Sequence, residues 1–241
     1  MPARCEKVVL ITKVGAAPGP DGKGLSAKSI AAGIEALLRR LQTDRIDLYL
    51  SHKLDAATPI DETLRAYEAL IRAGKVRAIG SSNATATSLR EALDTAAATR
   101  LPRYEVEQPE YNLCDRGKFE GPLRDLCIAE GVGVIVYYSL ASGFLSGKYR
   151  SKADLKGRAR AGGVEKHMNA RGFRILGALD AVAKTHAAKP AEVALSWLIA
   201  REGVTGPIAS STTLDQVASH VRAARLELAA EEIRSLTDAS G

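Results

Sequence analysis

The sequence predicts an α/β fold built from parallel β/α units, on three observations. Short β-branched runs alternate with longer segments of helical periodicity, six such units can be counted, and no Gly-x-Gly-x-x-Gly follows any of the strands. The missing glycine signature argues against an open doubly wound dinucleotide-binding sheet. The other architecture of parallel β/α units is the (β/α)8 barrel, whose closure takes eight of them.

The units run in order along the chain. Val8-Val9-Leu10-Ile11-Thr12 reads as a buried strand, followed by helical apolar spacing at Ile30, Ile34, Leu37, Leu38 and Leu41. Ile46 to Leu50 is the second strand, and a helix runs from about Pro59 to Ala73, with proline in its first turn and Gly74 at its stop. Val76 to Gly80 is the third strand, and Ser88 is placed as the cap of a helix reaching about Ala97. Glu105 to Gln108 and Gly133 to Tyr137 are the fourth and fifth strands, with a helix near Gly121 to Glu130 between them. A loop rich in glycine and basic residues fills 141–172, and two amphipathic helices follow at Phe173 to Thr185 and Pro190 to Arg201. Gly206 to Ser210 is the last strand, and Thr213-x-x-Gln216 reads as a capping box opening a helix to about Ala224. With no linker, repeat or low-complexity tract, residues 1–241 are read as one domain.

Composition narrows the function classes. Hydrophobic residues at 46% and charged residues at 26% suit a globular protein that builds its own core. No apolar run approaches the roughly 20 residues of a membrane helix, and the opening residues have no signal-peptide pattern, so a cytoplasmic location and no membrane partner are expected. Cys5, Cys114 and Cys127 form no Cys-x-x-Cys pair and are odd in number, which argues against a disulfide framework or a zinc site. The net charge of +6 is dispersed and accompanies no nucleic-acid-binding motif. Its densest stretch, Lys148 to Arg171, reads either as a solvated loop or as a loop close to anionic phosphates.

In a β/α barrel the chemistry sits at the C-terminal strand ends. There the sequence places Lys13, His52, Ser82 with Asn83, Gln108, Tyr137 with Tyr138, and Ser210 with Ser211, a ring of polar and aromatic residues above apolar runs. Each has an ordinary structural reading: a snorkelling lysine, a histidine at a loop entrance, loop hydrogen bonds, a packed tyrosine. Each has a functional one too: a buried cation that lowers a neighbour's pKa, a group that polarises a carbonyl, partners for a carboxamide, a stacking face. A whole ring of them favours a polar site.

These positions lie in stretches that resemble the motifs of the aldo-keto reductase family. Ile11-Thr12-Lys13-Val14-Gly15 resembles its lysine strand, and Leu41 to Tyr49, running on to His52, its histidine strand. Gly74-Lys75-Val76-Arg77-Ala78-Ile79-Gly80-Ser81-Ser82-Asn83 is the most specific match, followed by Glu107-Gln108-Pro109-Glu110-Tyr111-Asn112 and by Tyr137 to Tyr149. The resemblance implies a (β/α)8 barrel enzyme that reduces aldehydes or ketones with NADPH, NAD remaining possible. It implies Lys13 and His52 as catalytic residues, and Ser82, Asn83 and Gln108 as holders of the nicotinamide carboxamide. Tyr137 would stack on the nicotinamide, and Leu140, Ser142, Gly143 and Leu145 would line the pyrophosphate path. Ser210, Ser211, Thr212, Gln216, Ser219 and His220 would surround the adenosine ribose and its 2′-phosphate, where a helix N-terminus offers free N–H groups. No Arg or Lys lies between Ser210 and Ser219, a departure from the arginine that NADP sites often use. The partner implied is a small carbonyl substrate; the sequence carries no signature of an oligomeric state.

The resemblance also implies a tyrosine that donates the proton and an aspartate that pairs with the lysine, both before the lysine strand. Twelve residues precede Lys13, and the first aspartate and tyrosine, Asp21 and Tyr49, follow it. The expectation is therefore a barrel without its first two β/α units, from a misplaced start, a gene remnant or a chain completed by a partner, the first being preferred. Little turnover is expected of this sequence, since acid–base catalysis contributes about 10²–10⁴-fold. The rival readings are a nicotinamide-binding module without catalysis and a Schiff-base lyase using Lys13.

Overall fold

The computed structural model describes residues 7–15, 24–158 and 160–241, and they form two compact units. The first comprises residues up to Gln108 together with Asp125–Gly133; the second comprises Pro109–Arg124 and Val134–Gly241.

The first unit carries four strands joined in parallel in chain order: β1 (Ile11–Val14), β2 (Ile46–Ser51), β3 (Val76–Ser82) and β4 (Val106–Gln108). Between them lie helices α1 (Ala27–Leu41), α2 (Ile60–Arg72) and α3 (Ala86–Thr99). Helix α1 starts where the Ser26 side chain accepts from the Ser29 N–H, and its buried face is Ile30, Ile34, Leu37 and Leu38, the spacing read from the sequence. Asp61 and Glu62 in the first turn of α2 and Arg72 in its last complement the helix dipole. Gly80 permits the close approach of β3 and β4, because a Cβ there would lie 2.4 Å from the Val106 carbonyl oxygen. Under the sheet the Tyr67 and Tyr104 hydroxyls both meet the Ser51 hydroxyl, at 2.8 and 2.9 Å, so three buried polar groups satisfy one another.

Two local expectations change. The first strand lies at Ile11–Val14, and Val8 and Val9 are exposed, because Leu10 is the residue whose carbonyl meets the β2 backbone. The cap of α3 is Thr85, whose side chain accepts from Ser88 N, while Ser88 returns a bond to the Thr85 N–H. Ser88 is thus the third residue of the capping box, a spacing that a serine–threonine pair permits equally well.

In the second unit β5 (Gly133–Val136) pairs in parallel with β6 (Gly206–Pro207), Ile135 opposite Gly206; Gly133 itself belongs to the first unit. Helix α4 (Pro122–Glu130), whose residues from Asp125 on belong to the first unit, precedes β5. The stretch expected as loop between 141 and 172 holds two 3-10 segments, Ala141–Ser146 and Lys152–Leu155, and the short helix α5 (Ala161–Glu165). Helix α6 (Ala170–Thr185) begins earlier than the apolar pattern suggested, because the Asn169 side chain caps it by accepting from Gly172 N. Helix α7 (Pro190–Ile199), with proline at its start, buries Val193, Leu195, Trp197 and Leu198 and is the core of the unit. Helices α8 (Leu214–Ala223) and α9 (Ala230–Ala239) complete it; α9 was not anticipated.

Among the described residues no helix is long and apolar enough to cross a membrane. Cys114 and Cys127 are buried free thiols, both pushed up to about 12 by burial; Cys5 and Asp21 lie outside the described residues.

Candidate functional site

The strand ends of the first unit bring five of the singled-out residues onto one rim. Lys13 is half-buried on β1 opposite Leu50 of β2, and His52 follows β2, its backbone N–H donating to the Val14 carbonyl at 2.8 Å. Ser82 and Asn83 end β3 and Gln108 ends β4, paired in register with Ser82. The Ser82 hydroxyl donates to the Gln108 carbonyl at 2.8 Å. The Asn83 side-chain amide donates to the His52 carbonyl at 3.0 Å and to the Ser82 hydroxyl at 3.1 Å. Asn83 holds φ +59°, a left-handed conformation that asparagine tolerates better than most residues.

Burial lowers the Lys13 pKa. His52 is exposed, and its pKa is lowered by partial desolvation first and by the Lys13 cation second. The His52 imidazole is therefore neutral at neutral pH and retains one ring N–H donor. The Oε1 atom of Gln108 is buried without a hydrogen-bond partner, in a residue only 2% exposed. A buried carbonyl oxygen in that state is stabilised by an incoming N–H donor.

The second unit encloses a cleft of about 700 Å³. Of the predicted residues in this unit, Tyr137, Leu140, Ser142, Gly143, Ser210, Thr212, Gln216, Ser219 and His220 line it. Its floor follows β5, where Tyr137 makes a parallel bridge to Glu110, and the backbone then turns through Tyr138, Ala141 and Ser142, all at positive φ. Three left-handed non-glycine residues so close together store backbone strain of the kind that collects at binding sites. Its opposite wall is the turn into α8. There the Thr213 side chain accepts from Gln216 N, and Gln216 Oε1 accepts from the Thr212 N–H at 2.6 Å, so the return bond of the expected box goes to Thr212. Ser219 donates to Oε1 of Glu192 at 2.8 Å.

Two predicted residues stay off the cleft wall. Leu145 is fully buried, and Ser211 instead meets the His220 ring at 3.0 Å. Three residues not assigned individually from the sequence line the cleft as well: Lys148, Arg158 and Arg160. They belong to the basic stretch for which proximity to phosphates was one reading. They supply the positive charge that the segment Ser210–Ser219 lacks. No group of His, Cys, Asp or Glu side chains able to hold a metal occurs among the described residues.

Comparison with known proteins agrees in kind. The model of the Aldo/keto reductase family matches residues 2–240. The chain is 38% identical to an "Uncharacterized oxidoreductase YrpG" of Bacillus subtilis (strain 168), covering 98% of this chain and 72% of that protein. It is 33% identical to a "Probable voltage-gated potassium channel subunit beta" of Arabidopsis thaliana, over 91% of this chain and 69% of that one. A 28% identity over 96% of the chain and 69% of the relative links it to an L-glyceraldehyde 3-phosphate reductase of Escherichia coli O157:H7.

Proposed function

Because the chain belongs to the aldo/keto reductase family, we propose that it is an oxidoreductase of small aldehydes or ketones using NADPH, within a (β/α)8-type single domain and in the cytoplasm. The observation that carries this reading is the cleft of the second unit. Nine residues chosen from sequence line it, together with Lys148, Arg158 and Arg160, a donor set that fits phosphate groups. The orphaned Gln108 Oε1 likewise fits a carboxamide N–H.

When bound, the reduced nicotinamide supplies the hydride that the carbonyl carbon accepts. In this reading Ser82, Asn83 and Gln108 hold the carboxamide, Tyr137 offers a stacking face, and Leu140, Ser142, Gly143 and Leu145 shape the pyrophosphate path. Ser210, Ser211, Thr212, Gln216, Ser219 and His220 surround the adenosine ribose. The cleft cations favour the 2′-phosphate of NADP over NAD. Neutral His52 donates its ring N–H to the substrate carbonyl oxygen and orients it. Lys13, half-buried and with its pKa lowered by burial, would in its charged form stabilise the anion of a proton-donating hydroxyl.

A second reading, cofactor binding without turnover, is favoured by the Arabidopsis relative, named as a channel subunit rather than a reductase. Titration with NADPH followed by a panel of aldehydes and ketones separates the two. Saturable NADPH binding with carbonyl-dependent consumption of the cofactor is expected. Binding with no consumption selects the second reading, and absence of binding overturns both.

A further inference from the structure

Glu107 takes no part in the roles assigned above, yet it is fully buried beside the residues that carry them. On strand β4 it precedes Gln108, so the pleat sends the two side chains to opposite faces. Its Oε1 accepts from the Ala84 backbone N–H at 3.1 Å, and its Oε2 accepts a short hydrogen bond from the Ser81 hydroxyl. The backbone N–H groups of Asn83 and Gln108 lie near enough to lower its pKa, although the Asn83 N–H itself donates to the Gln108 carbonyl at 3.3 Å. Ser81 and Ala84 flank Ser82 and Asn83 in sequence. One carboxylate thus ties down both sides of the turn that ends β3.

We infer that Glu107 is a positioning residue for nicotinamide binding, anchoring Ser82, Asn83 and Gln108 as a single rigid carboxamide receptor. The inference rests on the functional reading proposed above. The chemistry favours anchoring over simple packing. A buried carboxylate is costly unless its lone pairs are met, and an apolar residue would fill the same space without that cost. The two oxygens of the carboxyl group accept from both sides of the turn, which an apolar residue of the same size would not do. The titratable groups that feel its charge are Tyr104 and Cys127, both neutral at neutral pH because burial raises them. Hydrogen bonds to the turn are therefore what hold the carboxylate among the described residues. The turn needs holding, since Asn83 sits at φ +59°.

Glu107→Gln tests this directly, because the amide keeps the volume but turns N–H donors toward donors. The variant and the wild type are titrated with NADPH and with adenosine 2′,5′-bisphosphate, which lacks the nicotinamide half. The expected result is an NADPH affinity about tenfold weaker, the scale of one lost hydrogen bond to a charged acceptor, with the bisphosphate affinity unchanged. Unchanged NADPH affinity, or equal loss for both ligands as a merely structural role would give, overturns the inference. If the Gln variant does not fold, Ser81→Ala removes a single link to the carboxylate. A selective NADPH loss in that variant supports the inference, and no loss overturns it. A wild-type protein that binds neither ligand would instead sink the functional reading beneath it.

Discussion

The Asn83 side-chain amide reaches across from β3 to donate to the His52 carbonyl oxygen at 3.0 Å. The bond ties the histidine proposed to orient the substrate carbonyl to the turn proposed to hold the carboxamide. Asn83→Ala loses this bond and puts at positive φ a residue without asparagine's tolerance of that region, for an expected destabilisation of about 1–2 kcal/mol. Asn83→Gly loses the same bond without the strain and should be less destabilised. Thermal unfolding of the two variants checks the order, and equal stabilities would show that φ +59° is not strained.

The Lys13 cation is a secondary cause of the lowered His52 pKa, after partial desolvation. Replacing it should move His52 back toward its ordinary value of 6.5. In Lys13→Met the ring-proton titration of His52 followed by NMR is expected at higher pH than in the wild type. An unchanged midpoint would show that the two groups do not interact. The sign for stability follows. A histidine whose folded pKa is depressed binds fewer protons folded than unfolded, so its contribution falls as pH drops below 6.5.

Glu107 behaves in the opposite sense. Burial, opposed by its hydrogen bonds, pushes its carboxyl up to about 7 from an ordinary 4.5. The folded protein then binds the extra proton between these values. This contribution to stability is fully present below pH 4.5 and is lost as pH rises through about 7. Its full span is about 3 kcal/mol. Denaturant unfolding of wild type and Glu107→Gln across this range should converge at low pH and diverge toward neutrality, with the wild type losing ground. Parallel curves would contradict the raised value.

The architecture was legible because parallel β/α units announce themselves twice, through β-branched runs and through helical spacing such as Ile30, Ile34, Leu37 and Leu38. Helix α9 escaped because its only buried residue is Leu236, leaving no apolar stripe to read. Helix α6 began early because Asn169, a polar cap outside the periodic pattern, sets its start. Tyr137 and Ser210 were readable as strand-end residues, while Leu140, Ser142, Gly143, Thr212, Gln216, Ser219 and His220 came only from the family resemblance. Lys148, Arg158 and Arg160 lie within the long connection after β5, where sequence position says little about direction. Glu107 was read only as a member of a strand and a motif and given no role, since an acidic residue in a short strand ordinarily marks an exposed edge.

The same three cations predict coenzyme preference. Arg158→Ala combined with Arg160→Ala should weaken NADPH binding about tenfold and NADH binding much less, because only NADPH carries the 2′-phosphate. The wild-type preference should also shrink as ionic strength rises. Equal losses for the two coenzymes would place the arginines elsewhere than at that phosphate.

The central claim, that this chain holds a reduced nicotinamide cofactor through its strand-end residues, is tested most directly by a fluorescence titration of the wild type and Gln108→Ala with NADPH. The account predicts saturable binding of one cofactor per chain, weakened about tenfold when the buried acceptor Gln108 Oε1 is removed. No saturable binding of NADPH or NADH by the folded wild type, or full affinity in Gln108→Ala, would contradict it.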